Sequence, residues 1–112
     1  MAEVIDLTQP KTSPIGIFDS GVGGISVLGR AKLALPQEDF IYYADTAHFP
    51  YGDNDPEVIR HEVLRAAEIM VNRGAKAIVI ACNTATSIAI KDLRAKYDLP
   101  ILGMEPALKP AV

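Results

Sequence analysis

The residues KAIVIAC, 76–82, restrict the fold of this chain more than any other segment. A strand with one exposed face alternates apolar and polar residues, but Ala77 to Cys82 are apolar at consecutive positions. Consecutive apolar residues are typical of a strand that is covered on both faces, as in the interior of a parallel sheet. We therefore expect an α/β protein.

The remainder of the chain fits this expectation, because short apolar runs alternate with segments of helical period. Further strands are predicted at 15–18, 39–45 and 99–104, and helices at 25–35, 56–73 and 84–97. The second helix has the clearest ends, with Asp55 as N-cap, Pro56 at the first helical position and Gly74 as the stop. This alternation predicts an open, doubly wound parallel sheet with helices on both faces.

The chain has 112 residues, of which 49% are apolar, and this is enough for one modest domain with a core. Residues 1–13 are predicted to be an irregular N-terminal tail, and residues 14–112 to form the α/β sheet and its helices. Four parallel strands make a thin sheet, and the last segment, EPALKPAV, has no predicted element to pack against. We therefore expect part of a longer protein.

Charge and composition argue against several classes of partner. The net charge is −3 and the basic residues are dispersed, so no surface for nucleic acid or an anionic membrane is predicted. No apolar run is long enough for a membrane span, and the N-terminal residues lack the apolar region of a signal peptide. A single cysteine cannot form an intrachain disulfide, which favours a cytoplasmic location.

Polar clusters follow three of the predicted strands. In open α/β sheets, ligands bind beyond the carboxyl ends of the strands. The clusters are Asp19-Ser20, Pro50-Tyr51-Gly52 and Cys82-Asn83-Thr84. Loops after adjacent parallel strands lie side by side, so we expect the three clusters to form one pocket.

The first cluster continues into a glycine-rich turn, DSGVGGIS at 19–26. Its glycines allow a sharp strand-to-helix turn with backbone amides at a helix N-terminus, where an anion can bind. Ser26 stands where a dinucleotide fingerprint has its third glycine, and no Gly-Lys-Ser/Thr follows as in a nucleotide phosphate loop. A carboxylate site, a phosphate site and a purely structural turn all remain open.

Cys82 also has two interpretations. An inert thiol at the end of a strand is the common arrangement for a lone cysteine. At a helix N-terminus, however, the partial positive charge and free amides stabilise a thiolate, and Asn83 and Thr84 can bind a ligand beside it. Neither His48 nor His61 is placed as its partner, and the ligand spacing of a zinc site is missing. Asp19 is the better companion, and an acid with a thiol favours proton transfer over acyl transfer.

Four segments together resemble the glutamate racemases, in the cofactor-independent aspartate/glutamate racemase group. They are GIFDSGVGGISVL, YYADTAHFPYGD, IVIACNTATS and PILGMEPALKPA, in this order between residues 16 and 111. The resemblance implies that one cysteine removes the α-proton of glutamate and a second cysteine protonates the opposite face, without pyridoxal phosphate or another cofactor.

The resemblance also assigns residues. It implies that Cys82 and Asp19 are catalytic and that substrate is bound by the three clusters: Asp19, Ser20, Pro50, Tyr51, Gly52, Asn83 and Thr84. The family's second cysteine, with adjacent threonine and histidine, belongs to a later domain. The resemblance thus implies that residues 14–112 are the N-terminal α/β lobe, incomplete, of a two-lobed enzyme. The resemblance therefore implies a chain that is inactive alone, and a full-length enzyme that can form a homodimer and supplies D-glutamate for peptidoglycan.

Alternatives remain at this point. A racemase of the same group can act on aspartate or a hydantoin, and the chain can also be a non-catalytic α/β binding module with a buried cysteine. A cysteine hydrolase or transferase is disfavoured, because no histidine is placed beside the thiol.

Overall fold

A computed structural model describes residues 2–6, 13–20, 24–45 and 54–104, without the side chains of 2–6 and 24–26. The elements alternate as the sequence predicts. They are β1 (Ala2–Asp6), β2 (Ile15–Asp19), α1 (Gly24–Ala34), β3 (Phe40–Asp45), α2 (Pro56–Asn72), β4 (Ala77–Ile80), α3 (Asn83–Lys96) and β5 (Ile101–Gly103).

The strands form one sheet in the order β1-β3-β2-β4-β5. From β3 to β5 all neighbours are parallel, which confirms the predicted open parallel α/β sheet. The chain moves from β2 to one side for β3 and then crosses to the other side for β4 and β5, as in doubly wound folds.

The first strand corrects the prediction of an irregular tail. β1 pairs antiparallel with β3, from Ala2 opposite Asp45 to Asp6 opposite Ile41. This pairing joins segments about 40 residues apart, so no local pattern in the tail reveals it. One edge of the parallel sheet is thereby covered.

Helices cover both faces of the sheet, as predicted. On one face α2 and α3 pack together over a large apolar cluster that includes Phe18, Tyr43 and Ile80. On the other face α1 packs over a smaller cluster that includes Ile17 and Tyr42. None of the three described helices is long and apolar enough to cross a bilayer.

The ends of α2 follow from its local sequence. The Asp55 side chain accepts a hydrogen bond from the Glu57 backbone N–H (2.8 Å), and Pro56 begins the helix. Gly74 has φ +90°, a conformation that side-chain-bearing residues rarely adopt, and it ends the helix. The helix turns one apolar stripe towards the sheet, and this stripe is fully buried: Ile59, Val63, Ala66, Ala67 and Met70.

Candidate active site

The candidate site lies where the sheet changes direction. β2 leads into α1 on one face of the sheet, and β4 leads into α3 on the other, so the two connections diverge from adjacent strands. The Ala81 backbone N–H donates to the Phe18 carbonyl (2.7 Å) and keeps the two strands paired to their carboxyl ends. Ligands of doubly wound folds bind in the crevice that such a divergence opens.

Cys82 occupies the N-cap of α3. Its backbone is extended, with φ −156° and ψ 124°, and its Sγ accepts a hydrogen bond from the Ala85 backbone N–H (3.5 Å). Serine, threonine, aspartate and asparagine are the usual residues at an N-cap, so a sulfur is an unusual acceptor here. The half-buried thiol therefore lies at the positive end of a helix of 14 residues, as the sequence predicts.

Thr86 fixes the backbone around the thiol. Its hydroxyl donates to the Cys82 carbonyl (2.8 Å) and accepts from the Met104 backbone N–H (3.0 Å), so it joins α3 to the end of β5. Gly103 packs so closely against Thr86 that an added Cβ would clash with the Thr86 methyl carbon. The sequence prediction missed this bracing role, because it depends on a contact 18 residues away.

A cleft of about 380 Å³ opens at this point. The described residues that line it come from the ends of β2 and β4, the first turns of α1 and α3, and the end of β5: Ser20, Val27, Ala81, Cys82, Asn83, Thr84 and Met104. Four residues predicted to form the site, from the first and third clusters, therefore share one cleft.

Asp19 is placed differently. It precedes Ser20, but its side chain is fully buried and does not belong to the described lining of the cleft. The Tyr42 hydroxyl donates to its Oδ2 (2.7 Å), while Oδ1 has no hydrogen-bond partner among the described residues. Burying a carboxyl oxygen without a hydrogen-bond donor costs free energy. A further donor at Oδ1 would therefore stabilise the buried Asp19 side chain.

The remaining candidates divide into two groups. Pro50, Tyr51 and Gly52 lie outside the described residues, as does His48. His61 is exposed on α2. In the part of the chain that the structure describes, no cluster of three or more histidine, cysteine or acidic side chains is placed to hold a metal.

A second buried tyrosine–carboxylate pair lies on the α2 face of the sheet. The Tyr43 hydroxyl donates to Glu62 Oε2 (2.6 Å), and both residues are buried. Burial raises the pKa of Tyr43 well above its usual range, and the hydrogen bond to Glu62 and the charge of Glu62 raise it further. The phenol is therefore kept protonated as a donor.

Comparison with known proteins finds a family model and several relatives that match most of this chain. The family model described as Asp/Glu/Hydantoin racemase matches residues 27–111. Glutamate racemase of Halothermothrix orenii is 64% identical over 98 residues, which make up 88% of this chain and 39% of the relative. For glutamate racemase of Clostridium perfringens the identity is 57% over 103 residues, or 91% of this chain and 40% of the relative.

The solved structures that match this chain are also glutamate racemases. Escherichia coli glutamate racemase, in complex with L-glutamate and the activator UDP-MurNAc-ala, matches with a TM-score of 0.80 at 38% identity. That match covers 88% of this chain and 38% of the other. The Thermus thermophilus enzyme, in complex with β-chloro-D-alanine, matches with a TM-score of 0.76 at 45% identity over 81% of this chain and 36% of the other.

This chain thus spans about two fifths of the length of the relatives that it matches. Within that span the sequence identities of 57% and 64% and the TM-scores of 0.76 and 0.80 agree with the family match. The chain belongs to the Asp/Glu/Hydantoin racemase family.

Proposed function

We propose that this chain forms one half of the active site of a glutamate racemase, with Cys82 as the base for one face of the substrate. The observation that carries the proposal is the position of Cys82, at the N-cap of α3 and on the wall of the cleft. Relatives that are 57–64% identical and named glutamate racemase favour glutamate over aspartate or a hydantoin.

The chemistry requires two groups on opposite sides of the α-carbon. The Cys82 thiolate takes the α-proton, the C–H electron pair stays on the substrate as a planar carbanion, and a second acid protonates the opposite face. Because the 112 residues contain one cysteine, that second acid comes from outside them, as the family's second cysteine does. Cofactors and metals have no part in this scheme.

The other site residues bind the substrate and its developing charge. Ser20, Asn83 and Thr84 carry hydrogen-bonding groups on the cleft wall, where they can bind carboxylate oxygens. Asp19 is the acceptor for the substrate ammonium or steers a proton, and Pro50, Tyr51 and Gly52 complete the substrate site. The full-length enzyme acts in the cytoplasm, can form a homodimer and supplies D-glutamate for peptidoglycan.

A hybrid protein tests this assignment. In the hybrid, this chain replaces the matching 98 residues of the Halothermothrix orenii relative, so that the rest of the enzyme is present. We expect decay of the circular dichroism of L-glutamate and exchange of its α-proton for deuterium in D₂O. Both should be lost in Cys82→Ala and retained in Ser87→Ala, which removes an exposed hydroxyl from the same helix.

Two further measurements separate the alternatives. The 112-residue chain alone should leave pure L-glutamate optically unchanged, because one thiol serves one face. Exchange with aspartate but not glutamate would move the protein to another member of the group. A well-folded hybrid that exchanges neither substrate would support a non-catalytic binding module and contradict the proposal.

A further inference from the structure

Two consecutive tyrosines on β3 each donate to a buried carboxylate, on opposite faces of the sheet. Tyr42 donates to Asp19 on the α1 face (2.7 Å), and Tyr43 donates to Glu62 on the α2 face (2.6 Å). Both tyrosines are almost fully buried, at 3% and 1% exposure. The two hydroxyls therefore make the same kind of hydrogen bond, but they lie on opposite faces of the sheet and in different apolar clusters.

The Tyr42 hydroxyl limits how the Asp19 carboxylate can be used. The Tyr42 hydroxyl can donate one hydrogen bond, and it donates that bond to Oδ2. That bond fixes the rotation of the carboxylate and leaves Oδ1 as the oxygen without a donor among the described residues. The phenol ring packs in the smaller apolar cluster, which holds the hydroxyl in place.

The parallel register makes this contact possible. Ile17 pairs with Tyr42 in the sheet, and Asp19 lies two residues further along the same face of β2. The long Tyr42 side chain reaches forward to the carboxyl end of the sheet, where Ser20 borders the cleft. Tyr42 is therefore hydrogen-bonded to Asp19, and Asp19 is followed in the chain by Ser20, which lines the candidate site.

We propose that Tyr42 is a positioning residue, which orients Asp19 so that Oδ1 is reserved for a cationic donor of the substrate, the ammonium group of an amino acid. The inference rests on the proposed racemase function and deepens it. Tyr42 does not touch the substrate in this scheme. It acts on turnover only through the carboxylate of Asp19.

The test is a double-mutant cycle in the hybrid enzyme. Tyr42→Phe keeps the ring and removes the hydroxyl, and we expect kcat/KM for L-glutamate to fall on the order of tenfold, the value of one hydrogen bond to a charged group. In the Asp19→Asn background the same change should have almost no further effect, because two residues that act as a unit are not additive. A merely structural tyrosine would lower the rate equally in both backgrounds.

Tyr43→Phe is the matched control. It removes the same hydroxyl from the next residue, and from the same kind of bond, but its partner is Glu62, which is not a candidate site residue. We expect it to lower the thermal midpoint and leave kcat/KM nearly unchanged. Equal losses of turnover in Tyr42→Phe and Tyr43→Phe would overturn the inference, as would an unchanged rate in Tyr42→Phe.

A second change covers the case in which Tyr42→Phe does not fold. Incorporation of 3-fluorotyrosine at position 42 keeps the ring and the hydroxyl but makes the phenol more acidic. Turnover should then change with Asp19 present and stay constant in Asp19→Asn, whereas equal changes in both contradict the inference. Inactivity of the unsubstituted hybrid would instead count against the proposed function, so the two failures are distinct.

Discussion

On one face of the sheet, α2 and α3 cover a cluster of 15 buried residues, whereas α1 covers a cluster of five on the other, counted over the described residues. The first face is also joined by Arg60 of α2, which donates to the Ile88 carbonyl (2.9 Å) and the Asp92 carboxylate of α3 (2.5 Å). On the second face, Asp19 is buried with an oxygen that lacks a described donor.

The difference indicates that one face mainly stabilises the fold and that the other holds a candidate functional group. The larger cluster supplies stability, and Glu62 beside it accepts a hydrogen bond from Tyr43. The smaller cluster tolerates a carboxylate oxygen without a described donor next to the cleft. Functional groups with unsatisfied atoms can persist only where the surrounding structure is stable enough to hold them. The α2/α3 face thus stabilises the sheet that holds Asp19 and that leads, through β4, to Cys82.

Paired truncations test this division most directly. Leu93 of α3 is fully buried, so Leu93→Ala should lower the free energy of unfolding by about 2–5 kcal/mol. Leu28 of α1 is only partly buried, and Leu28→Ala should cost about 1 kcal/mol. Urea unfolding followed by far-ultraviolet circular dichroism measures both. Equal losses would mean that the smaller cluster contributes as much per residue as the larger one.

The Tyr43–Glu62 pair gives a smaller effect with a characteristic pH dependence. Tyr43→Phe leaves Glu62 Oε2 without its donor, so unfolding should become easier by about 1–3 kcal/mol at neutral pH. The folded state holds the phenol proton more tightly than the unfolded chain, which releases it near the ordinary pKa of 10.0. Tyr43 therefore contributes stability below pH 10 that is lost as the pH rises above 10.

Unfolding free energies at pH 9 and pH 11 measure this loss. The unsubstituted chain should lose more stability between the two pH values than Tyr43→Phe does. The same slope in both proteins would show that Tyr43 titrates alike in the folded and unfolded states.

The smallest expected effect concerns Thr86, which joins the first turn of α3 to the end of β5. Thr86→Val keeps the shape of the side chain but removes the hydroxyl that binds Cys82 and Met104, at a cost of about 1 kcal/mol. Iodoacetamide should also label Cys82 more slowly, since the head of α3 is less well fixed beside the sulfur. Thr86→Ser should restore the rate, and Ser87→Ala should leave it unchanged. Labelling at the unsubstituted rate in Thr86→Val would contradict the bracing role.

Local signals explain which parts of the fold are predictable from the sequence. Asp55, Pro56 and Gly74 mark both ends of α2, because caps and breakers act within a few residues. The start of α3 is predicted within one residue, at 84 against the observed Asn83. β1 is missed, because its partner is the edge of a strand far along the chain.

The candidate site is predictable to a similar extent. Polar residues after successive strands indicate a common edge, and Ser20, Cys82, Asn83 and Thr84 do line one cleft. Their roles stay predictions, as do those of Pro50, Tyr51 and Gly52. The partners of Tyr42 and Thr86 depend on strand register and on the packing of β5, which no short motif encodes.

The hydrogen bond from the Ala85 amide to the Cys82 sulfur offers a way to follow the chemical state of that sulfur. A thiolate is a stronger acceptor than a thiol or an alkylated sulfur, so each change in the chemical state of that atom alters the first turn of α3. The hydrogen exchange and the NMR shift of the Ala85 N–H should therefore follow the protonation of the sulfur, with no chemical label on the sulfur itself.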